Sequence, residues 1–333
     1  MGMADTVTKA YIRKNNIFAD AFNYLIYEGK PVVEPERLRE VDTTEIALPF
    51  GPQENGNGNS QSSEMIQKYR DILKSAVVMQ EDEAAYILLG IENQTDIHYA
   101  MPVRNMIYDA LQYGKQVADT AARHRKNHKN SRKHTSGEYL SGFYKEDVLK
   151  PVVTLVIHFG ADEWDAPLSL HEMMGSQNKK LMRYIQDYQI HLIDPAKLTQ
   201  EDLNKFTSSL REVIEYIKYS KDKEKLSRIL KDNSRMLIDR EAALVIKTIT
   251  NTAIEISEKE EKIDMCKAID DMLSEREARG AAKGEIRGIE IGELRMLVKQ
   301  VKRGRLTIEE AAEDVAMSVE KFRNVTDDML KEG

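Results

Sequence analysis

The chain has 333 residues, and its 49 lysines and arginines are outnumbered by 56 aspartates and glutamates, which gives a formal net charge of -7. With 41% hydrophobic residues, a chain of this length can build one large domain or two of ordinary size, so disorder throughout is excluded. The acidic balance argues against a protein that coats nucleic acid through its overall charge, but it leaves local basic patches open.

No segment of the sequence has the character of a membrane span or a secretion signal. The most apolar stretch, residues 151–159, is far shorter than the roughly 20 residues that cross a bilayer, and residues 1–14 lack the apolar segment of a signal peptide. The single cysteine, Cys266, can form neither an intramolecular disulfide nor a zinc site with several cysteines. We therefore expect a cytoplasmic protein without a membrane partner.

The first part of the chain predicts a helix followed by strands. Residues 14–28 carry apolar side chains at helical spacing and predict an amphipathic helix, and residues 43–49 predict a short strand. The Gly/Asn/Ser-rich residues 51–63 predict a flexible loop. Two β-favouring runs, residues 70–80 and 85–95, then predict an antiparallel hairpin that is covered on both faces.

The next part predicts a helix, a basic loop and two more strands. The helix begins near Met101, because the proline that follows suits a first helical turn. It ends in a loop at residues 122–137, where positions 123–134 hold six Lys/Arg, three His and no acid. Residues 149–160 predict a buried strand, and residues 188–194 predict another.

From Leu198 onward the pattern is helical, with predicted segments at residues 203–220, 223–231, 239–253 and 258–304. In the last of these, a glycine at every fourth position from 280 to 292 favours a flexible connector over a face for close helix contact. Residues 306–322 predict two short capped helices whose spacing is similar to half of a helix-turn-helix. Because Ala316 lies where that turn usually has glycine, a helical hairpin for protein contact is the favoured interpretation.

These patterns predict three regions. Residues 10–195 form an α/β core with flexible loops near 51–63 and 123–137. Residues 196–257 form a helical region, and residues 258–333 form a charged helical tail that ends in the helical hairpin.

A pair of carboxylates is the feature of this sequence with the clearest chemistry. With a turn at residues 81–84, Asp71 lies opposite Gln94 on the neighbouring strand. Leu73 then lies opposite Glu92, and the two acids and Gln94 share one face. The acids are diagonal neighbours about 7–8 Å apart or less, a separation at which they can share one divalent ion. A one-residue slip would separate them, and two solvated acids at the end of the sheet are the alternative interpretation.

The order of the motifs resembles that of a known protein family. The motifs are, in chain order, Asp71 at the start of a strand, Ile91-Glu92-Asn93-Gln94-Thr95 at the end of the next strand, Pro102-Val103-Arg104-Asn105-Met106-Ile107-Tyr108-Asp109-Ala110, and Pro151-Val152-Val153-Thr154-Leu155-Val156-Ile157 followed by Gly160 and Trp164. In this order the chain resembles the Rpn-type recombination-promoting nucleases, also called putative transposases, of the PD-(D/E)XK nuclease superfamily. The resemblance covers most of residues 10–195 and, more loosely, the charged tail.

This resemblance implies a restriction-endonuclease-like core, a central mixed sheet flanked by helices, followed by an all-helical C-terminal region. It implies that Asp71 and Glu92 hold Mg²⁺ (or Mn²⁺) and that Gln94 occupies the position of the superfamily's lysine. Glutamine orients a partner only through hydrogen bonds and carries no charge, so the metal must supply most of the activation. Members of the family commonly have glutamine at this position.

Other residues are candidates for metal and DNA contacts. Asp20 is a candidate accessory metal ligand, with a solvated helix face as the alternative. Arg104 and Tyr108 share a helix face and are candidates for contact with the scissile phosphate. The structural alternative is an arginine that is stacked on the tyrosine or paired with an acid. The basic loop offers contacts to DNA phosphates through Arg123, Arg125, Lys126, Lys129, Arg132 and Lys133, or serves only as a solubilising loop.

The sequence thus predicts a Mg²⁺-dependent DNA endonuclease with Asp71, Glu92 and Gln94 as catalytic residues. No Walker-type loop, GxGxxG, HExxH or GxSxG motif is present, so no nucleotide cofactor is expected. We expect a homodimer through the C-terminal helices, because two sites related by a two-fold axis cut both strands most simply. The alternatives are a nuclease-fold DNA-binding protein with weak or no turnover and a helical protein-interaction module.

Overall fold

The computed structural model describes residues 2–41, 44–47, 66–69, 71–80, 83–126, 135–175, 178–231 and 233–331. The chain divides into two units, Met1–Cys266 and Lys267–Gly333. The predicted boundary at residues 195/196 falls inside the first unit. The basic positions Lys129, Arg132 and Lys133, and the loop predicted at 51–63, lie outside the described residues.

The helices are α1 (Met3–Ile12), α2 (Asn15–Tyr27), α3 (Met101–Lys126), α4 (Ser136–Ser141), α5 (Lys179–Met182), α6 (Gln200–Asn204), α7 (Leu210–Tyr219), α8 (Lys223–Leu230), α9 (Arg240–Thr250), α10 (Met265–Lys302), α11 (Ile308–Asp314) and α12 (Val319–Lys331). The strands are β1 (Arg39–Glu40), β2 (Thr44–Ala47), β3 (Ile66–Tyr69), β4 (Ile72–Gln80), β5 (Glu83–Gln94), β6 (Val152–His158), β7 (His191–Ile193), β8 (Leu237–Asp239) and β9 (Lys262–Asp264).

A five-stranded mixed sheet forms the centre of the first unit, with the order β1-β4-β5-β6-β7. The pairs β1/β4 and β4/β5 are antiparallel, and β5/β6 and β6/β7 are parallel. Six of the seven residues of β6 are buried, as expected for a parallel strand that is covered on both faces. The predicted α/β class with a mixed sheet flanked by helices is confirmed.

Helices cover both faces of this sheet. On one face, the buried Lys74 donates to the carbonyl oxygen of Arg13 and to Oδ1 of Asn15, between α1 and α2. On the other face, Thr154 of β6 donates to Asp109 of α3 at 2.6 Å. Side chains alternate between the faces of a strand, so Asp71 and Glu92 belong to the α3 face and Lys74 does not.

The sequence did not predict helix α1. Its buried side chains are Thr8, Tyr11 and Ile12, and the hydroxyl groups of Tyr11 and Ser209 are 2.9 Å apart. Only one short stretch of apolar spacing marks this helix, which is too little to distinguish it from an irregular terminus.

After β7 the first unit is mainly helical, which confirms the predicted helical C-terminal region. The structure adds a two-stranded antiparallel sheet, β8 with β9, so this region is not all-helical as predicted. Strands of three residues are too short to show the alternation by which strands are recognised. The helix predicted at residues 203–220 is interrupted before Leu210, where the chain turns to contact Asp20.

Glycines 280, 284, 288 and 292 lie inside α10, so the connector predicted there is helical. A Cβ atom added at any of the four would meet no atom of the described chain within 4 Å, apart from the neighbouring helix backbone. Close contact with another described helix of the same chain therefore does not explain these glycines. Each weakens the helix by roughly 1 kcal/mol relative to alanine.

The second unit has its own small core. The predicted terminal hairpin appears as α11 and α12, which pack against the end of α10 through Leu294, Leu297, Val298, Ala311, Ala312 and Phe322. Thr307 and Glu310 form a capping box at the start of α11. Ala316, between α11 and α12, has a φ of 50°, the left-handed conformation that favours glycine.

Ala316→Gly is expected to stabilise the second unit by about 1 kcal/mol, because a residue with a Cβ atom is sterically strained by about that amount in the left-handed conformation. Hydrogen exchange of the Phe322 amide in the full chain measures the effect. Ala281→Gly, inside α10, is the opposite control, since there glycine replaces alanine in a helix and should not slow exchange. Unchanged exchange of Phe322 in the Ala316 variant would contradict the strain argument.

Among the described residues, no helix combines the length and the apolar character needed to span a membrane.

Candidate functional site

Asp71 and Glu92 face each other at the edge where β4 begins and β5 ends. Ile72 pairs with Ile91, so Asp71, one residue before β4, lies beside Glu92. The backbone N–H of Asp71 donates to Oε1 of Glu92 at 3.3 Å. The strand pair therefore brings together the two carboxylates that the sequence singled out.

The predicted register was wrong by two residues. Asp71 was expected opposite Gln94 and Leu73 opposite Glu92, whereas Leu73 pairs with Gly90. The cause is the turn: Gln80 still pairs with Glu83, so the connection is shorter than the predicted 81–84. A shift of two residues preserves the alternation of side chains, and for this reason both acids remain on one face.

Each oxygen of Asp71 has a partner. Oδ1 lies 2.9 Å from Nζ of Lys9, and Oδ2 accepts a hydrogen bond from the backbone N–H of Asn93 at 2.9 Å. The Asp71 side chain is 9% exposed and that of Lys9 is 21% exposed. Burial alone would lower the pKa of Lys9, but the hydrogen bonds and charges of Asp71 and Asp5 outweigh it and raise that pKa above its ordinary value.

Glu92 is fully buried and is paired with a cation from α3. Its Oε2 lies 3.0 Å from Nη2 of Arg104, whose side chain is 30% exposed. Nε of Arg104 donates to the hydroxyl oxygen of Tyr108 at 3.1 Å. Burial of a carboxylate is costly unless the charge is paired, and here Arg104 supplies the pairing.

The charge of Glu92 also affects the groups around it. Burial opposes the charged form of Arg104, but Glu92 outweighs this effect and raises the pKa of the guanidinium. Burial and the charge of Glu92 raise the pKa of Tyr108 against the opposing effect of Arg104. Tyr108 therefore stays a neutral phenol, and its oxygen remains a hydrogen-bond acceptor for Arg104.

Gln94 lies two residues beyond Glu92 on the same face of β5. It is 8% exposed, and its Nε2 donates to the carbonyl oxygen of Asn93 at 3.0 Å. Together with Lys9, Asp71, Asn93 and Arg104 it lines an open cleft of about 530 Å³. Its acidic lining residues are Asp5, Asp71 and Asp96, and the fully buried Glu92 lies behind its wall, paired with Arg104. A polar cleft lined by acids and two cations is suited to an anionic substrate that arrives with its own metal or cation.

Sequence reasoning missed Lys9, because the helix that carries it was not predicted. The helix is fastened to the sheet near the site, where Nδ2 of Asn93 donates to Oγ1 of Thr8. The only sequence signal was the spacing of the buried Thr8, Tyr11 and Ile12, three and four residues apart.

The structure places Asp20, the predicted accessory metal ligand, against the residues that precede α7. One carboxylate oxygen accepts from the backbone N–H and the hydroxyl of Thr207, both at 2.9 Å. The other accepts from the backbone N–H and the hydroxyl of Ser208, at 2.9 and 2.6 Å. Asp20 is 3% exposed and fastens α2 to the start of α7, and the described cleft residues do not include it.

The basic residues at the end of α3 lie apart from the carboxylates. Arg123, Arg125 and Lys126 belong to the last turn of the helix and not to the predicted loop. They are exposed, and Arg123 donates to Oγ1 of Thr120 at 2.8 Å. At 1.5 Å per residue, Arg125 lies about 30 Å along the helix from Arg104.

The fold and the site define an α/β protein whose central mixed sheet holds a carboxylate pair, flanked by cations, at the wall of an open cleft. Residues 60–243, more than half of the chain, match the sequence profile of a family described as "Putative transposase, YhgA-like". The chain belongs to this family, which confirms the resemblance seen in its motifs. Comparisons with curated proteins and with solved structures found no match.

Proposed function

We propose that the protein is a metal-dependent DNA endonuclease with a core of the PD-(D/E)XK type. The observation that carries this proposal is the meeting of Asp71 and Glu92 across β4 and β5, where Lys9 pairs with Asp71 and Arg104 pairs with Glu92. Asp71, Lys9 and Arg104 line the cleft, and Glu92 is buried directly beside it. Membership in a family of transposase-like proteins supports a reaction on DNA phosphodiester bonds.

The donor set fits a hard divalent cation such as Mg²⁺ or Mn²⁺. Such an ion is commonly held by one or two carboxylates and completes its coordination with water and substrate phosphates. Asp71 and Glu92 offer this number of carboxylates, and each already attracts a cation. In the part of the chain that the structure describes, no group of three or more His, Cys, Asp or Glu is placed to hold a metal. Water and substrate phosphates would complete the coordination of an ion at this pair.

The chemistry that a bound divalent ion supplies is Lewis acidity, which activates a water nucleophile and offsets charge on phosphorus. The chain's own residues place the substrate against that ion. Arg104, held by Glu92 and Tyr108, presents a fixed guanidinium for a phosphate oxygen. Gln94 orients a water or a phosphate oxygen through its amide and transfers no proton.

The basic end of α3 offers a second contact for DNA. At about 30 Å from Arg104, it is separated from the site by roughly nine base pairs of a duplex with 3.4 Å rise. We infer that α3 lies along the duplex, with the cleft at one end of the contact and Arg125 and Lys126 at the other.

Replacing Arg125 and Lys126 together by glutamine is expected to weaken DNA binding and to reduce the salt slope of the binding constant by about 2, because two phosphate contacts are lost. Titrations of a short duplex at several salt concentrations measure both quantities. The pair Lys223→Gln and Arg228→Gln removes the same charge from α8 and serves as the control. An unchanged slope in the α3 variant would remove this surface from the proposal.

Nicking of supercoiled plasmid by the purified protein in Mg²⁺, Mn²⁺ and Ca²⁺ tests the proposed function. Cleavage in Mg²⁺ or Mn²⁺ that stops with a chelator is the expected result. Salt-sensitive DNA binding without cleavage in any of these ions would favour a nuclease-fold DNA-binding protein. Self-association of the chain without DNA binding would favour a helical interaction module, and its mass in solution also tests the proposed homodimer.

A further inference from the structure

The cleft contains an ammonium group that comes from the first helix and not from the sheet. Nζ of Lys9 lies 2.9 Å from Oδ1 of Asp71 and 3.1 Å from Oδ2 of Asp5. Among the described residues that line the cleft, Lys9 and Arg104 are the cations. The match to the family profile begins at residue 60, so it does not include Lys9.

Buried contacts fix the position of Lys9. Its neighbour Thr8 is fully buried and accepts a hydrogen bond from Asn93, the next-to-last residue of the strand that carries Glu92. Tyr11 and Ile12 are fully buried on the same side of α1. The backbone of Lys9 is therefore held against the end of β5, and only its side chain can move.

Among the described residues that line the cleft, Lys9 is the only lysine. Lys74 of β4 is 1% exposed on the opposite face, where it is bonded to Arg13 and Asn15. Gln94 is uncharged. Arg104 is engaged with Glu92, so the cation facing Asp71 is Lys9.

We propose that Lys9 is a catalytic residue that contacts the scissile phosphate, in the role that an uncharged Gln94 cannot fill. The catalytic part of this inference rests on the proposed function. The contact between Lys9 and a DNA phosphate does not, because it can be measured without cleavage. In the free protein Lys9 neutralises Asp71. When Asp71 is neutralised by a divalent cation, Lys9 loses that attraction and its ammonium pairs with a non-bridging oxygen of the phosphate.

Lys9 acts on charge alone. In the hydrolysis, a water oxygen loses a proton to solvent and forms a bond to phosphorus while the bond to the leaving oxygen breaks, and that oxygen takes a proton from solvent. Negative charge grows on the phosphoryl oxygens during this step. An ammonium group beside those oxygens stabilises that charge. Lys9 remains protonated and passes no proton to either oxygen.

The binding test uses a short DNA duplex and Ca²⁺, so it does not depend on cleavage. Saturating Ca²⁺ is expected to tighten DNA binding by the wild type, and Lys9→Met should lose at least about tenfold of that gain, the equivalent of one hydrogen bond to a charged group. Without Ca²⁺, Lys9→Met should bind DNA no more tightly than the wild type, because Asp71 is then without its ammonium partner, so the deciding comparison is the DNA affinity at saturating Ca²⁺. Lys30→Met removes an exposed lysine from the same unit and is the control.

A Ca²⁺ titration distinguishes two roles of Lys9, contact with the phosphate and positioning of Asp71. If Lys9 only holds Asp71 in place, Lys9→Met will need more Ca²⁺ but will recover full DNA affinity at saturation, which overturns the inference. Equal Ca²⁺-dependent gains in both proteins also overturn it. Thermal melting of each variant shows whether α1 remains docked.

The rate of DNA cleavage provides a second test of the role of Lys9. In saturating Mg²⁺ or Mn²⁺, Lys9→Met is expected to cleave about 100-fold more slowly, and the double variant Lys9→Met/Gln94→Lys should recover part of the rate, since it returns an ammonium to the cleft. If the wild type cleaves nothing while the Ca²⁺ effect depends on Lys9, only the proposed function fails. If the wild type cleaves and Lys9→Met matches it, only the assignment of Lys9 fails.

Discussion

Asp71→Asn and Glu92→Gln are each expected to lower metal-dependent DNA cleavage by at least about 100-fold. Each change keeps the shape of the side chain but removes one of the two charges that the site offers a divalent cation. It also leaves Lys9 or Arg104 without its carboxylate, which adds repulsion toward the incoming ion. Plasmid nicking at a series of Mg²⁺ and Mn²⁺ concentrations measures the loss.

Asp162→Asn is the matched control for this prediction. Asp162 is an exposed carboxylate of the same unit that is paired with Lys221 and is not among the residues that line the cleft, so its replacement removes the same charge outside the cleft. Cleavage that persists in both site variants would show that the carboxylate pair is not the metal site. Circular dichroism and melting distinguish loss of activity from loss of the fold.

Asp20→Ala is expected to destabilise the first unit by about 3 kcal/mol, because it removes a buried charge that accepts several hydrogen bonds from Thr207 and Ser208. Urea denaturation followed by tryptophan fluorescence measures this loss. Trp164 is the single tryptophan of the chain and is 2% exposed, so its emission reports the unfolding of this unit.

The result for Asp20 also decides between its two roles. A fastener between α2 and α7 predicts lower stability with unchanged Ca²⁺ affinity of the folded protein. If Asp20 is instead a metal ligand, Asp20→Ala should weaken Ca²⁺ binding and leave the stability unchanged. Asp165→Ala, which removes an exposed carboxylate bonded to the hydroxyl of Tyr99, should change neither quantity by a comparable amount.

The carboxylate pair could be predicted because strand alternation is a local property of the sequence. Asp71 and Glu92 share a face in any register that differs by an even number of residues. The two-residue error in the predicted register therefore left the prediction of the carboxylate pair unchanged. The strands around the site have strong β-favouring runs, and the basic helix after them begins where its proline indicates. These features are determined by residues that are close together in the sequence, so sequence patterns can predict them.

The remaining parts of the site depend on contacts between distant segments. Lys9 meets Asp71 across 62 positions, and Asp20 meets Thr207 across 187. No periodicity or spacing encodes such pairings, because a carboxylate on a helix has the same local pattern whether it faces solvent, a metal or the end of another helix. Sequence reasoning therefore found Asp20 as an acid but could not assign its partner.

The fastening of α1 sets the order in which this cleft can form during synthesis. The hydroxyl of Tyr11 meets that of Ser209 across 198 positions, and Lys14 bonds to Asp239 and Glu241. Such contacts close very long loops, which makes them late events in folding, and the ribosome must first release the segment that contains them. A growing chain thus displays the strands with Asp71 and Glu92 well before α1 is secured beside them. The delay keeps the cleft incomplete on the nascent polypeptide, so a DNA-cutting activity would emerge only with the finished first unit.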